Sequence, residues 1–345
     1  MPPLRSLPRS HALLPLAAGV ALVMLLVSLM VGRYPLSLAD IASLLWAQWS
    51  ATPTAHSTAS AVLFDIRIPR VAMTFAVGVA LSAAGAAYQN LFRNPLVSPD
   101  LLGVSSGAAL GAMLGIFFAL PLPLIQALAF AGGLLAVAIV YAIGVGASRQ
   151  RMHDMHDPLL VLVLTGVVIS ALLAAGTALI KYLADPYNQL PAMTYWLLGS
   201  FAAITSHDAA TAIPIMLVAL LPLWLLRWRI NLLSLPDDEA RTLGLNVRGA
   251  RLVIIVAATL MTATAVATCG IIGWVGLVVP QMVRLLAGAE FSRLLPLTML
   301  LGGSFMLAVD TLGRTLVAVE IPPGVLTALV GAPLFLWLLV SRRGP

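Results

Sequence analysis

Few residues in this 345-residue chain are of a type that does chemistry, and their spacing speaks against catalysis. Gly103, Ser105 and Gly107 spell G-x-S-x-G, which elsewhere lifts a nucleophilic serine on a sharp strand-to-helix turn. No strand pattern precedes it here, and a serine in a membrane span would need a histidine at similar depth, for which the nearest candidate, His207, is expected at the opposite surface. His153 and His156, with Asp154 and Asp157, have a spacing compatible with metal ligation, but no further ligands accompany them and a solvated loop is the better reading. Cys269 is the only cysteine, so no internal disulfide can form. Lys181 is the only lysine and follows no glycine-rich loop, so the chain cannot cradle nucleotide phosphates as an ATPase must. Asp310 is almost the only acid inside a long apolar run, and Arg314 stands one turn further on. That pairing reads first as a helix-surface ion pair, with a transport role open behind it. No cofactor or resident metal is expected.

These residues are set in a chain that is 61% hydrophobic and 9% charged, with a mean hydropathy of +1.02. So little polar surface cannot cover a water-soluble globule of this length, and the solvent must be largely lipid. The apolar runs are about 20 residues long, which suits helices and excludes a barrel of alternating strands. The expected fold is therefore an all-α integral membrane protein of about ten transmembrane helices, forming a single domain over 1–345. Spans are placed near 13–31, 70–90, 101–119, 122–147, 158–183, 208–230, 249–268, 274–288, 294–312 and 323–341. The first run is too long for a cleaved secretory signal. An even number of spans puts both termini on one side, and the positive-inside rule makes that side the cytoplasm: Arg5, Arg9, Arg149, Arg151, Arg227, Arg229, Arg241, Arg248, Arg251, Arg293, Arg342 and Arg343 all fall there. The net charge of +6 is read as orientation and headgroup contact, not nucleic-acid binding.

Four local patterns stand out. Gly103, Gly107, Gly111 and Gly115 recur every four residues, a stripe on one helix face that permits close helix approach. Pro35 and Asp40 precede Ile41, Leu44, Leu45 and Trp49 at helical spacing, which predicts a surface helix on the outer face. On the inner face Pro236 and Asp237 start a short helix that Gly244 ends; the residues alone read first as an ordinary loop near 235–250, with a compact knob suited to a cleft in another protein as the other reading. Arg67 and Arg70 flank Pro69 at the expected outer start of the second span, where cations oppose the helix dipole and break the positive-inside bias. A dock for an acidic partner and interfacial snorkelling both account for them.

Longer stretches carry a resemblance. IRIPR at 66–70, GVALSAAGAAYQNLFRNPLVSPDLLGVSSGAALGA at 78–112, YWLLGSF at 195–201, DDEARTLGLNV at 237–247, CGIIGWVGLVVPQMVR at 269–284, VDTLGR at 309–314 and IPPGVLTALVGAPLFLWLL at 321–339 resemble the FecCD-type permeases. These are the membrane subunits of bacterial importers for iron siderophores, haem and vitamin B12, with a subset for molybdate or tungstate. The resemblance implies a homodimer with the path on its axis, two ATP-binding subunits inside, and a periplasmic substrate-binding protein outside, all at the inner membrane. It implies that Asp238, Glu239, Ala240, Arg241, Leu243 and Gly244 form the coupling helices, and that Arg67, Arg70 and Arg314 receive acidic residues of the binding protein. One departure stands at Gln281, where the family often has His: an amide cannot change charge near neutral pH.

Overall fold

The computed structural model describes residues 10–50, 58–150 and 158–341; the pair His153 and His156 lies outside them, as do Arg5, Arg9, Arg151, Arg342 and Arg343. Among the described residues the chain is helical throughout, with no strand. α1 (Ser10–Met30) is followed by α2 (Leu38–Trp49), α3 (Thr58–Ala61) and α4 (Ile68–Leu91). A 3-10 turn at Pro99–Leu102 leads to α5 (Val104–Phe117), α6 (Leu122–Gln150), α7 (Pro158–Leu183) and α8 (Gln189–Leu198). Then come α9 (Ser206–Leu225), α10 (Arg227–Ile230), α11 (Asp237–Thr242), α12 (Val247–Cys269), α13 (Val275–Ala287), α14 (Phe291–Thr315) and α15 (Pro323–Ser341).

Seven of the described helices are long and apolar enough to cross a membrane, and three shorter apolar helices, Val104–Phe117, Val275–Ala287 and Pro323–Leu338, stand beside them. Each expected span coincides with one of these helices. α2 forms where Ser37 caps it: the Ser37 hydroxyl accepts from the Asp40 amide while Asp40 accepts from the Ser37 amide, a reciprocal capping box. Ile41 packs inward against Leu36 and Leu63, leaving Trp46 and Trp49 exposed.

The second span differs from expectation at its outer end. It begins at Thr58 and runs unbroken to Leu91 through a π-helical stretch, Val62–Arg67. Pro69 has no amide proton and its ring would press on the carbonyl four residues back, so the local ladder shifts by one: the Ile68 amide bonds to the Leu63 carbonyl, five residues earlier. At a rise of about 1.5 Å per residue the helix is roughly 50 Å long, well beyond a hydrocarbon core of about 30 Å. Its first turns therefore stand clear of the bilayer core. Arg67 and Arg70 lie inside a helix, not at its N-terminus.

α4 is the central post of the bundle, with Met73, Val77, Ala83, Ala84, Ala86, Ala87 and Tyr88 fully buried. Its neighbours come close because small residues meet: a Cβ on Gly85 would lie 1.8 Å from the Gly276 carbonyl oxygen of α13. The glycine stripe of α5 works the same way against α6. A Cβ on Gly107 would sit 2.3 Å from the Gly132 oxygen, one on Gly111 2.1 Å from the Leu128 oxygen, and one on Gly115 3.0 Å from Ile125. Gly103 differs from the other three, being the N-cap of α5 with φ of +83°, a left-handed turn out of the preceding 3-10 segment.

Candidate functional site

Two polar clusters sit at opposite ends of α4, about 36 Å apart along its 24 residues. At the outer end Arg67, Arg70 and Arg314 converge, as the resemblance implies, but their guanidinium groups are buried and engaged. Arg67 donates to the carbonyls of Leu29, Met30 and Tyr34. Leu29 and Met30 end α1, so their carbonyls have no partner further along that helix, and a cation is also favoured there by the helix dipole. Arg314 reaches the same turn, its Nη2 donating to the Ser28 carbonyl at 3.0 Å and hydroxyl at 2.9 Å. Local stability thus accounts for Arg67 through a different helix from its own.

Arg70 bridges two carboxylates. Its Nη2 lies 2.8 Å from Asp310 Oδ1 and 2.8 Å from Glu320 Oε2, with Nε at 3.1 Å from Asp310 and Nη1 at 3.2 Å from Glu320. Asp310 also stands 3.1 Å from Arg314 Nε. The expected helix-surface pair of Asp310 and Arg314 is in fact interior, 2% and 8% exposed at the side chains, and belongs to a chain of four charges. Burying a lone carboxylate in a membrane span would cost several kcal/mol; two arginines offset it. Glu320, in the link before α15, is half-buried. Burial pushes its carboxyl up, but the Arg70 hydrogen bonds and the charges of Arg70, Arg314 and Arg33 together hold it below its ordinary value of 4.5.

The inner cluster holds the knob. Pro236 opens α11, three acids fill its first turn, and Gly244 closes it at φ +82°. The Leu245 amide returns to the Ala240 carbonyl and the Gly244 amide to that of Arg241, the paired bonds of a Schellman cap. Ala240 is buried beneath, while Asp238, Glu239, Arg241, Leu243 and Gly244 face outward. Leu243 is 61% exposed, an apolar side chain on a tip with nothing to cover it among the described residues. What fixes the knob lies elsewhere in the sequence. Arg93, just past α4, donates from Nε to the Leu233 carbonyl at 2.8 Å, and from Nη2 to the Leu235 carbonyl and to Asp237 at 3.0 Å. Arg251 of α12 holds the same Asp237 oxygen at 2.7 Å, and Asn90 donates to the Ile230 carbonyl at 2.8 Å.

The match to known proteins covers both clusters: the model of the FecCD transport family spans residues 20–341. This chain belongs to the FecCD transport family. It is 39% identical over 311 residues to the Molybdate import system permease protein MolB of Haemophilus influenzae, covering 90% of this chain and 89% of that one. It is 41% identical over 288 residues to a "Probable iron chelatin transport system permease protein" of Helicobacter pylori, covering 84% and 85%. Among solved structures, an inward-facing ABC transporter assigned to the metal-chelate type superposes with a TM-score of 0.84 at 36% identity, covering 96% of this chain and 99% of that one.

In this FecCD chain the remaining chemical motifs have structural partners. Ser105 donates its hydroxyl to Asp100 of the preceding 3-10 turn, and among the described residues no cluster of His, Cys, Asp and Glu could hold a metal ion. Cys269 is buried at the end of α12, and Gln281 is buried in α13. Reading the sequence missed Arg33, Glu320 and Ser28 at the outer cluster and Asn90 and Arg93 at the inner one. Arg33 carried a signal: it follows the first span on the outer side, as much against the positive-inside bias as Arg67. Asn90 and Arg93 stood in the motif YQNLFRNPL, but only folding shows that they reach 140 residues ahead.

Proposed function

We propose that this FecCD permease forms, as a homodimer in the bacterial inner membrane, the translocation path of an ATP-driven importer. Two ATP-binding subunits engage the knob, and a periplasmic substrate-binding protein docks on the outer face around Arg67, Arg70 and Arg314. Both termini and the knob are cytoplasmic. The observation that carries this reading is the exposed knob: a six-residue helix braced from α4 and α12, presenting Leu243 outward, in a chain with no phosphate-binding loop. The homodimer rests on membership of the family.

A metal chelate such as an iron siderophore, haem or cobalamin is the favoured cargo, in keeping with the iron-chelatin relative and the metal-chelate structure. Molybdate is the second reading, favoured by the 39% identity to MolB over nearly the full chain. The test is reconstitution in vesicles with the ATPase and the binding protein of the same system. ATP-dependent uptake of a ferric chelate but not molybdate is expected; the reverse selects the oxyanion. Uptake by the permease alone, driven by a proton gradient, would overturn the importer reading in favour of a secondary transporter.

A further inference from the structure

α6 and α12 meet where glycine allows it and part on the side of the knob. A Cβ on Gly133 would lie 3.4 Å from Ala263, and from that contact towards the knob a groove of about 300 Å³ opens between the two helices. Leu134 and Leu260 line its far end, Val137 and Val256 its middle, and Tyr141 and Leu252 its knob-side end. From Leu122 to Tyr141 the helix rises about 29 Å, so Tyr141 sits near the edge of a hydrocarbon core of about 30 Å. The groove therefore occupies the half of the membrane nearest the knob. Its rim is continuous with the lipid-facing surface: Leu135, Ile139, Leu252 and Val256 are exposed apolar side chains inside two candidate spans. Water is a poor filler, because an ordered water needs roughly two to four polar partners. The one hydroxyl on the aliphatic wall, Thr259, already pairs with Tyr88 at 3.3 Å. A flexible hydrocarbon chain is the occupant that such a wall fits.

The knob-side end is polar. Arg248 lies one turn before Leu252, and at about 100° per residue it shares the helix face of Leu252, Ile255 and Thr259, all on the groove wall. It is exposed and makes no ion pair or hydrogen bond among the described residues. The acids of the knob do not neutralise it: Asp237 is shared by Arg93 and Arg251, Asp238 is held by Arg241, and Glu239 makes no ion pair among the described residues. The Tyr141 hydroxyl is likewise without a partner among them. We propose that the groove binds an anionic phospholipid of the leaflet on the knob side, with one acyl chain between α6 and α12 and its phosphate on Arg248, beside the Tyr141 hydroxyl. The site requires only that the chain spans the membrane, so it stands whichever cargo is carried and whichever way the chain is oriented. The acyl chain supplies retention through apolar contact. Arg248 supplies preference for a negative headgroup over a zwitterionic one, about fivefold for a single cation at the membrane surface.

The experiment uses the purified full-length permease in detergent and a phosphatidylglycerol with a photoreactive group on one acyl chain, cross-linked peptides being mapped by mass spectrometry. In wild type the label should fall on 134–141 and 252–260, and unlabelled phosphatidylglycerol should displace it at about one fifth of the concentration that phosphatidylcholine needs. Arg248→Gln removes a charge that has no partner to lose; it should fold as wild type and keep the label in the groove, but lose that preference. Val256→Trp, at an exposed position on the wall, should fill the groove and cut labelling there severalfold while labelling of α7 stays as in wild type. Glycerol phosphate, a headgroup without chains, should displace nothing. Label spread evenly over the lipid-facing helices, an anionic preference that survives in Arg248→Gln, or displacement by glycerol phosphate alone overturns the site. A Val256→Cys variant that forms a disulfide between two copies in the membrane also overturns it, by making this face a protein interface.

Discussion

Arg67 closes α1 by donating to Leu29, Met30 and Tyr34, and replacing it would take that donor from the Leu29 and Tyr34 carbonyls, while Met30 keeps the Leu36 amide. Arg67→Ala should therefore lower stability on the order of 1–3 kcal/mol, read as a lower thermal midpoint in detergent with α1 the first segment to lose hydrogen-exchange protection. An unchanged midpoint would show that water takes over the cap. Glu320 gives a pH dependence whose sign is fixed. Its carboxyl titrates below its ordinary value of 4.5 in the folded chain, so the stabilisation it supplies is complete above that value. It is lost as pH falls through the lower, folded value. Thermal midpoints should drop as pH falls below the ordinary value of 4.5, and Glu320→Gln should be less stable at neutral pH with a shallower acid limb. Parallel profiles for the two proteins would remove Glu320 from the cluster's energetics.

Between helices, close packing is set by missing side chains. Gly107→Leu or Gly111→Leu must push α5 from α6, because even a Cβ would meet backbone oxygen at 2.3 or 2.1 Å. Loss of about 1–3 kcal/mol or of folded yield is expected, seen as a lower detergent melting temperature; both variants melting like wild type would mean that the helices slide apart at no cost. The knob behaves as an element of its own, since Ala240 is the only buried residue of α11 and Arg93 and Arg251 hold it through Asp237. Leu243→Glu changes its exposed tip without touching those braces. The permease should fold normally yet fail to co-purify with the ATP-binding subunit, and normal co-purification with full transport would exclude the knob as the coupling element. The stripe and the knob were both legible in the sequence because glycine spacing and a Pro-Asp start depend on neighbours in the chain. The π-helical entry to α4 was not, because Pro69 marks a helix start just as readily as it marks a shifted ladder.

Over the whole molecule, the two polar clusters at the ends of α4 define an axis through the membrane, and its direction is testable. The proposed orientation, termini and knob inside, predicts that a Leu243→Cys variant is labelled by an impermeant maleimide only in inside-out vesicles, and a Thr315→Cys variant only from the periplasmic side. Labelling of both from one side would mean that the chain does not separate these clusters across the bilayer, and the opposite pattern would invert the transporter.

Composition and hydropathy alone determined that the chain is helical and lives in lipid, because a backbone in hydrocarbon must satisfy its own hydrogen bonds and a 61% apolar chain has nowhere else to go. The long motifs determined the family, and the missing phosphate loop gave the expectation that ATP is hydrolysed by another chain. Tertiary structure decided what each arginine does. Arg67 stands in the same sequence setting as Arg70, yet one caps α1 while the other ties Asp310 and Glu320 together, partners 240 and 250 residues away. A guanidinium can serve a carbonyl, a carboxylate or a partner protein equally well, and its sequence neighbours do not say which. Only the folded positions of α1, α14 and the Glu320 link fill the donors of Arg67 and Arg70 and leave Arg33 facing outward.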